Sequence, residues 1–258
     1  MHKSFAYYFA TALTLTVFGA QAFSQTPSTR APVLVELFTS EGCSSCPPAD
    51  ALLAKLDSLQ PIPTAQVIIL EEHVDYWDAQ GWHDRFSSHQ YTERQADYCF
   101  KLHASEPFTP QMIVDGTTQF VGNNAPQAVT AIQHAAQTTK LPLKISAPVV
   151  DGRKVSASVS LQTPSDAKPN TPVFAALVDS FDTTDVRDGE NKGRQLNHSG
   201  VVRVLNRVGT IKDLNAGPVN FTFTAPSESK PAAMRVVVFA QLSGSGAILG
   251  VDSVNVTP

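Results

Sequence analysis

The chain has 258 residues, 42% of them hydrophobic, and a formal net charge of −4 at pH 7. No basic run interrupts it, which argues against nucleic acid or an anionic membrane surface as a partner. Three cysteines, all in the first half, are too few for a disulfide framework and point to chemistry or metal binding instead.

The N-terminus reads as a targeting segment. Met1-His2-Lys3 is weakly basic, Phe5 to Phe18 is mostly apolar, and Ala20-Gln21-Ala22 fits a small-x-small cleavage site. A signal peptide over 1–22 is expected, followed by a polar lead-in over 23–32. No later stretch is long and apolar enough to span a bilayer. About 230 residues then remain, in a periplasmic or secreted location where disulfides persist. That length suits two smaller domains.

Val33 to Phe38 reads as an apolar strand that runs into Cys43-Ser44-Ser45-Cys46. The apolar-periodic stretch after it predicts a helix ending near Leu59, with Pro47 and Pro48 in its first turn, where a missing N–H costs little. Gln66 to Leu70 reads as a second buried strand, so strand, helix and strand imply a parallel pair with a right-handed crossover. An aromatic loop, His73 to Asp84, leads to a helix over 85–102 carrying Arg94, Tyr98 and Cys99. Phe108 to Gly116 predicts a strand and turn, Thr117 to Val121 its hairpin partner, and Asn124 to Thr139 a closing helix. From Leu141 onward the pattern is short alternating runs broken by Pro, Gly, Asn and Asp, among them Val155–Leu161, Val173–Val178 and Met234–Leu242. The expected fold is therefore an α/β thioredoxin-like domain over 33–140, followed by an all-β, immunoglobulin-like sandwich over 141–258.

A strand that ends in C-x-x-C and opens a helix is the layout of a thioredoxin-type redox site. Cys43 is expected as the attacking thiolate, favoured by the helix N-terminus, and Cys46 as its disulfide partner. Thr109-Pro110 has the form of the cis-proline element that faces such a pair. His73 and Asp75 follow the second strand and are expected near Cys43, His73 as proton carrier or metal ligand and Asp75 orienting it. Glu36, an acid inside an apolar strand, is a candidate proton relay to Cys46. Trp77 and Trp82 either wall a substrate or pack their loop. Cys99 reads as a buried, inert thiol. Arg94 and Tyr98, one turn apart, suit a salt bridge or packing. The polar, glycine-punctuated stretch Arg187 to Arg203 is unusually long for a hairpin connection; it is either a solvated loop or a binding loop that docks on the first half or on a partner.

The residues Glu36 to Asp50, His73-Val74-Asp75-Tyr76-Trp77, Gly81-Trp82, Arg94-Gln95, Tyr98, Thr109-Pro110-Gln111-Met112, Gly189-Glu190-Asn191 and Val201-Val202-Arg203 resemble the exported domain-of-unknown-function 1223 family. The resemblance covers nearly the whole chain after the leader and implies a thioredoxin-like fold. It implies no particular reaction. Ser44-Ser45 between the cysteines departs from the Gly-Pro of well-understood thioredoxins, and Cys99 is not part of the pattern.

These readings converge on an exported thiol–disulfide oxidoreductase that acts on protein thiols and disulfides through Cys43 and Cys46 and needs no cofactor. Two alternatives stand beside it. One is a copper-binding module using Cys43, Cys46 and His73. The other is a non-catalytic secreted binding protein with an inert Cys43–Cys46 disulfide.

Overall fold

The structure, a computed structural model, describes residues 1–2, 30–244 and 246–257. The expected signal peptide and the lead-in as far as residue 29 lie, apart from Met1 and His2, outside the described residues.

Strand β1 (Ala31–Thr39) leads through the cysteine loop into helix α1 (Pro47–Leu59) and strand β2 (Ala65–His73). Helix α2 (His89–Lys101) follows the aromatic loop, then strands β3 (Gln111–Val114) and β4 (Thr118–Val121) and helix α3 (Ala125–Ala135). Strands β5 (Leu143–Ile145), β6 (Val149–Asp151), β7 (Lys154–Leu161) and β8 (Pro172–Asp179) come next. They are followed by β9 (Asp182–Asp185), β10 (Gln195–His198), β11 (Val201–Thr210), helix α4 (Ile211–Ala216), β12 (Val219–Thr224), β13 (Met234–Gln241) and β14 (Ile248–Asn255).

One eight-stranded sheet, in the order β14-β13-β8-β11-β2-β1-β3-β4, runs through both halves of the chain. The pairs β1–β2 and β2–β11 are parallel and the rest antiparallel. This overturns the expected fold class of a thioredoxin-like α/β domain followed by a separate immunoglobulin-like sandwich. The physical reason is the composition of β8, Pro172-Val173-Phe174-Ala175-Ala176-Leu177-Val178-Asp179. All but Phe174 are buried. A strand covered on both faces reads as a continuous apolar run and belongs in the middle of a large sheet.

Side-chain alternation gives the sheet two faces. Val33, Val35, Leu37, Val67 and Ile69 face α1 and α3. Further along the same side, Val173, Ala175, Leu177, Val236 and Val238 pack on a small sheet of β12, β7 and β5. The opposite face gathers Leu34, Ile68, Leu70, Val178, Val202 and Phe239 with Tyr91 of α2. The sheet curls toward this second face, so that Ile248 N at the far edge donates to Asp115 O in the β3–β4 turn (3.0 Å). Helix α2 buries Tyr91, Gln95, Tyr98 and Cys99, one stripe at helical spacing, and is capped by Ser88.

Candidate functional site

Helix α1 starts where the cysteine loop ends. Cys46 occupies the N-cap position and Pro47-Pro48 the first turn, positions whose amides have no partner within the helix. Cys43 and Cys46 form a disulfide. Both residues are 0% exposed, whereas Ser44 and Ser45 between them face solvent. The cover comes from the second half of the chain. Asn191 donates through Nδ2 to Glu41 O (2.9 Å) and Cys43 O (3.0 Å). Glu190 Oε2 accepts from Ser44 N (3.1 Å). Residues 186–194, between β9 and β10, thus strap the disulfide. Gly189 (φ +72) lies against Trp82 and Gly81, where a Cβ would stand 3.1 Å from Trp82 Cβ. Of the two expectations for the Arg187–Arg203 stretch, docking on the first half is the one observed.

The aromatic loop closes the other side. Trp77 Nε1 donates to Thr109 Oγ1 (2.8 Å) and Trp82 Nε1 to Glu41 Oε2 (2.7 Å). The Thr109–Pro110 peptide is cis. Pro110 and Ala49 both border the space beside Gly122, which sets the proline next to the first turn of α1.

Below the cysteines the sheet carries charge instead of hydrocarbon. Thr39, Glu71 and His73 share the α1 face of β1 and β2 and are all 0% exposed. Asp50, four residues along α1 from Cys46, accepts from Thr39 Oγ1 (2.7 Å). Burial, then the nearby Glu71 carboxylate, push the Asp50 carboxyl up to about 7, against the pull of His198, Thr39 and His73. His73 does not meet Asp75. Its Nδ1 pairs with Asp84 Oδ2 (2.6 Å) and its Nε2 lies 3.5 Å from Glu71 Oε1. Burial alone would lower the His73 imidazole, but Asp84 and Glu71 outweigh it and hold it well above its ordinary value. His198, at the end of β10, reaches the same place and pairs through Nδ1 with Glu71 Oε1 (2.7 Å). Glu71, His73 and His198 are a set that could hold a metal ion. Asp75 instead accepts from Thr92 Oγ1 (2.6 Å) and faces His89, which corrects its expected role of orienting His73.

A testable consequence concerns Asp50. Its carboxyl is protonated more readily in the folded chain than in the unfolded one. Its contribution to stability is therefore fully present below about pH 4 and is lost as pH rises through about 7. Asp50→Asn never acquires the charge. The variant is expected to match the parent near pH 4 and to exceed it by ~2–4 kcal/mol at pH 9, as measured by urea unfolding at the two values.

Glu36 lies on the other face of β1, pointing away from α1. It accepts from Arg94 Nε (2.8 Å) and from the Tyr98 hydroxyl (2.5 Å). The expected proton relay from Glu36 to Cys46 is corrected on this ground, because the sheet separates the two. Of the helix pair, Arg94 forms a salt bridge with Glu36 and donates to the Tyr98 hydroxyl (3.1 Å). Glu72, the next residue after Glu71, also points to this second face, where burial, opposed by Arg94 and reinforced by Glu36, holds its carboxyl well above the usual range. Cys99 is a free, buried thiol beside Gln111.

In the oxidised chain the two sulfurs are bonded to each other, and His73 turns toward Glu71 and Asp84; no contact among the described residues joins it to Cys43 or Cys46. Sequence reasoning missed Asp50, Glu71, Asp84 and His198. A weak signal existed for two of them: Asp50 sits at i+4 from Cys46, and Glu71 directly continues an apolar strand.

Fold and site together define a mostly β protein with one dominant mixed sheet, in which a C-x-x-C disulfide lies at the start of the first helix above a buried carboxylate–imidazole cluster. The chain belongs to the family described as Protein of unknown function (DUF1223), which it matches over residues 34–241. It is similar to protein AGR_C_4864 from Agrobacterium tumefaciens, at 28% identity over 88% of this chain and 95% of that one, with a TM-score of 0.63. A domain of the outer membrane lipoprotein Omp28 from Porphyromonas gingivalis matches at 16% identity over 46% of this chain and 90% of that one; its TM-score of 0.28 carries no argument. No curated protein matches. No helix among the described residues is long and apolar enough to cross a membrane.

Proposed function

We propose that the protein is a thiol–disulfide oxidoreductase of an exported compartment, acting on protein thiols and disulfides through Cys43 and Cys46. The observation that carries this reading is the Cys43–Cys46 disulfide at the mouth of α1. A thiolate formed there is favoured by the helix N-terminus, and the same field makes it a good leaving group. In the oxidising direction a substrate thiolate attacks Cys43 Sγ, the Cys43–Cys46 bond breaks, and Cys46 leaves with the electron pair and takes up a proton. A second substrate thiol, losing its proton, then attacks the mixed disulfide. The substrate leaves as a disulfide, and the protein holds two electrons and two protons as its dithiol. Run backward, the same steps reduce a substrate. Asp50, buried one turn from Cys46, suits proton exchange near neutral pH. A groove of about 390 Å³ beside α1, lined by Pro47, Asp50, Ala51, Phe181 and Leu196, offers a peptide an apolar seat, with Phe181 63% exposed.

Cys43 is covered, so exchange requires the 186–194 strap to lift. Asn191→Ala deletes the two hydrogen bonds that hold it over Glu41 and Cys43. At about 1 kcal/mol each, their loss is expected to raise the rate of disulfide exchange with a small thiol roughly 30-fold. An unchanged rate would show that the strap does not gate the site. The same burial favours a second reading, a binding protein with a permanent disulfide. The test between them is turnover of a disulfide-containing protein substrate, expected in the parent and absent in Cys43→Ser; no turnover in the parent supports the second reading.

A further inference from the structure

We infer that Glu71, His73 and His198 form a binding site for a divalent transition-metal ion of the zinc class, which ties β2 to β10 beneath the strap.

One ligand atom from each of the three residues lies within 4.8 Å of the others, and all three residues are buried. His73 Nε2 is buried, has no hydrogen-bond partner among the described residues, and stands 3.5 Å from Glu71 Oε1. The same oxygen is 2.7 Å from His198 Nδ1. Metal bonds of about 2.0–2.2 Å place neighbouring donors of a tetrahedral site roughly 3.3–3.5 Å apart. An ion between these atoms therefore needs only small side-chain shifts. Without it, His73 Nε2 is a buried polar atom with no hydrogen-bond partner among the described residues, a costly state.

The surroundings fit as well. A metal-bound imidazole turns its other nitrogen to a carboxylate, which fixes the ring. His73 Nδ1 does so with Asp84 Oδ2 at 2.6 Å. His198 Nε2 faces Glu41 Oε1 at 3.7 Å, and neither atom has a hydrogen-bond partner among the described residues. Both carboxylates are themselves held: Asp84 accepts from the amides of Glu41 (2.8 Å) and Phe86 (2.9 Å), and Glu41 accepts from Trp82. The Phe86 ring lies against both imidazoles, with centroids at 5.1 and 5.7 Å, and walls off water. Two imidazoles and one carboxylate suit zinc or ferrous iron better than calcium or magnesium. The ion would link the first half of the chain to the hairpin that carries Glu190 and Asn191. The site shares no atom with the cysteine pair, so metal binding is read out separately from disulfide exchange.

The test uses the full protein, stripped with a chelator and titrated with Zn²⁺ against a chromophoric competitor, then with Co²⁺ as a spectroscopic probe. One Zn²⁺ per chain is expected, with a rise in the thermal midpoint. The Co²⁺ form should show visible ligand-field bands and no thiolate charge-transfer band. Asp84→Asn should weaken binding by about 10–100-fold, and His73→Gln should abolish it. If His73→Gln fails to fold, the Co²⁺ spectrum of the parent decides. Absence of stoichiometric Zn²⁺ and Co²⁺ binding in the parent would overturn the inference, as would a thiolate band, which would place the metal on Cys43 and Cys46.

Discussion

Arg94→Met is expected to destabilise the protein by about 3–5 kcal/mol, measured as a fall in the urea midpoint at an unchanged slope. Arg94 is 12% exposed and sits among the rings of Tyr98, Phe174 and Phe239. It donates to Glu36, Gln241 (3.0 Å) and Tyr98 (3.1 Å) and lies 3.4 Å from Glu72 Oε1. Methionine keeps most of the side-chain volume and removes the charge. The Glu36 carboxylate is then left buried without its counter-charge, beside the Tyr98 hydroxyl and Glu72. The double variant Arg94→Met, Glu36→Gln should recover part of the loss, because it no longer strands a charge. A single-variant cost below about 1 kcal/mol, the range of a surface pair, would contradict the account of this face.

Under the proposed exchange chemistry, Cys46→Ala is expected to act as a trap. Cys43 would still attack or receive a partner sulfur, but no second thiol would remain to break the mixed disulfide. Covalent complexes should accumulate between Cys43 and protein partners and vanish on reduction, and turnover should be abolished. Non-reducing electrophoresis followed by mass spectrometry reads both. Cys43→Ser, by contrast, should trap nothing. A reactive Cys43 in the Cys46→Ala protein that captures no partner would remove most of the support for exchange chemistry.

The local part of this site was legible in the sequence, and its long-range part was not. The apolar run Val33 to Phe38, the cysteine spacing, the paired prolines and the apolar stripe of α1 each encode a neighbour a few residues away, and each is present in the structure. The position of Thr109–Pro110 beside α1 follows the same logic one step removed. The single sheet did not come through, because β2 meets β11 at one register position only, Glu71 opposite Val201. That junction between the halves leaves no periodicity to read. β8 did carry a signal, since a nearly continuous apolar run such as Val173 to Val178 is the mark of a central strand rather than of one sheet of a sandwich.

The buried charges show the same limit. Alternation sends Glu71 to the α1 face and Glu72 to the α2 face, so adjacent acids serve two unrelated clusters. Which histidine meets Glu71 depends on where a hairpin 127 residues later lands. Asp75 looked like the partner of His73 because it is near in sequence, but Asp84 reaches His73 instead. His73 closes strand β2, and Asp75 beyond it turns toward Thr92 and His89.

The most direct test of the central claim is the reduction potential of the Cys43–Cys46 pair in the purified protein, measured by equilibration with defined thiol–disulfide buffers. Exchange chemistry predicts a potential of roughly −120 to −270 mV. A value below about −300 mV would mark a structural disulfide and contradict the proposed function.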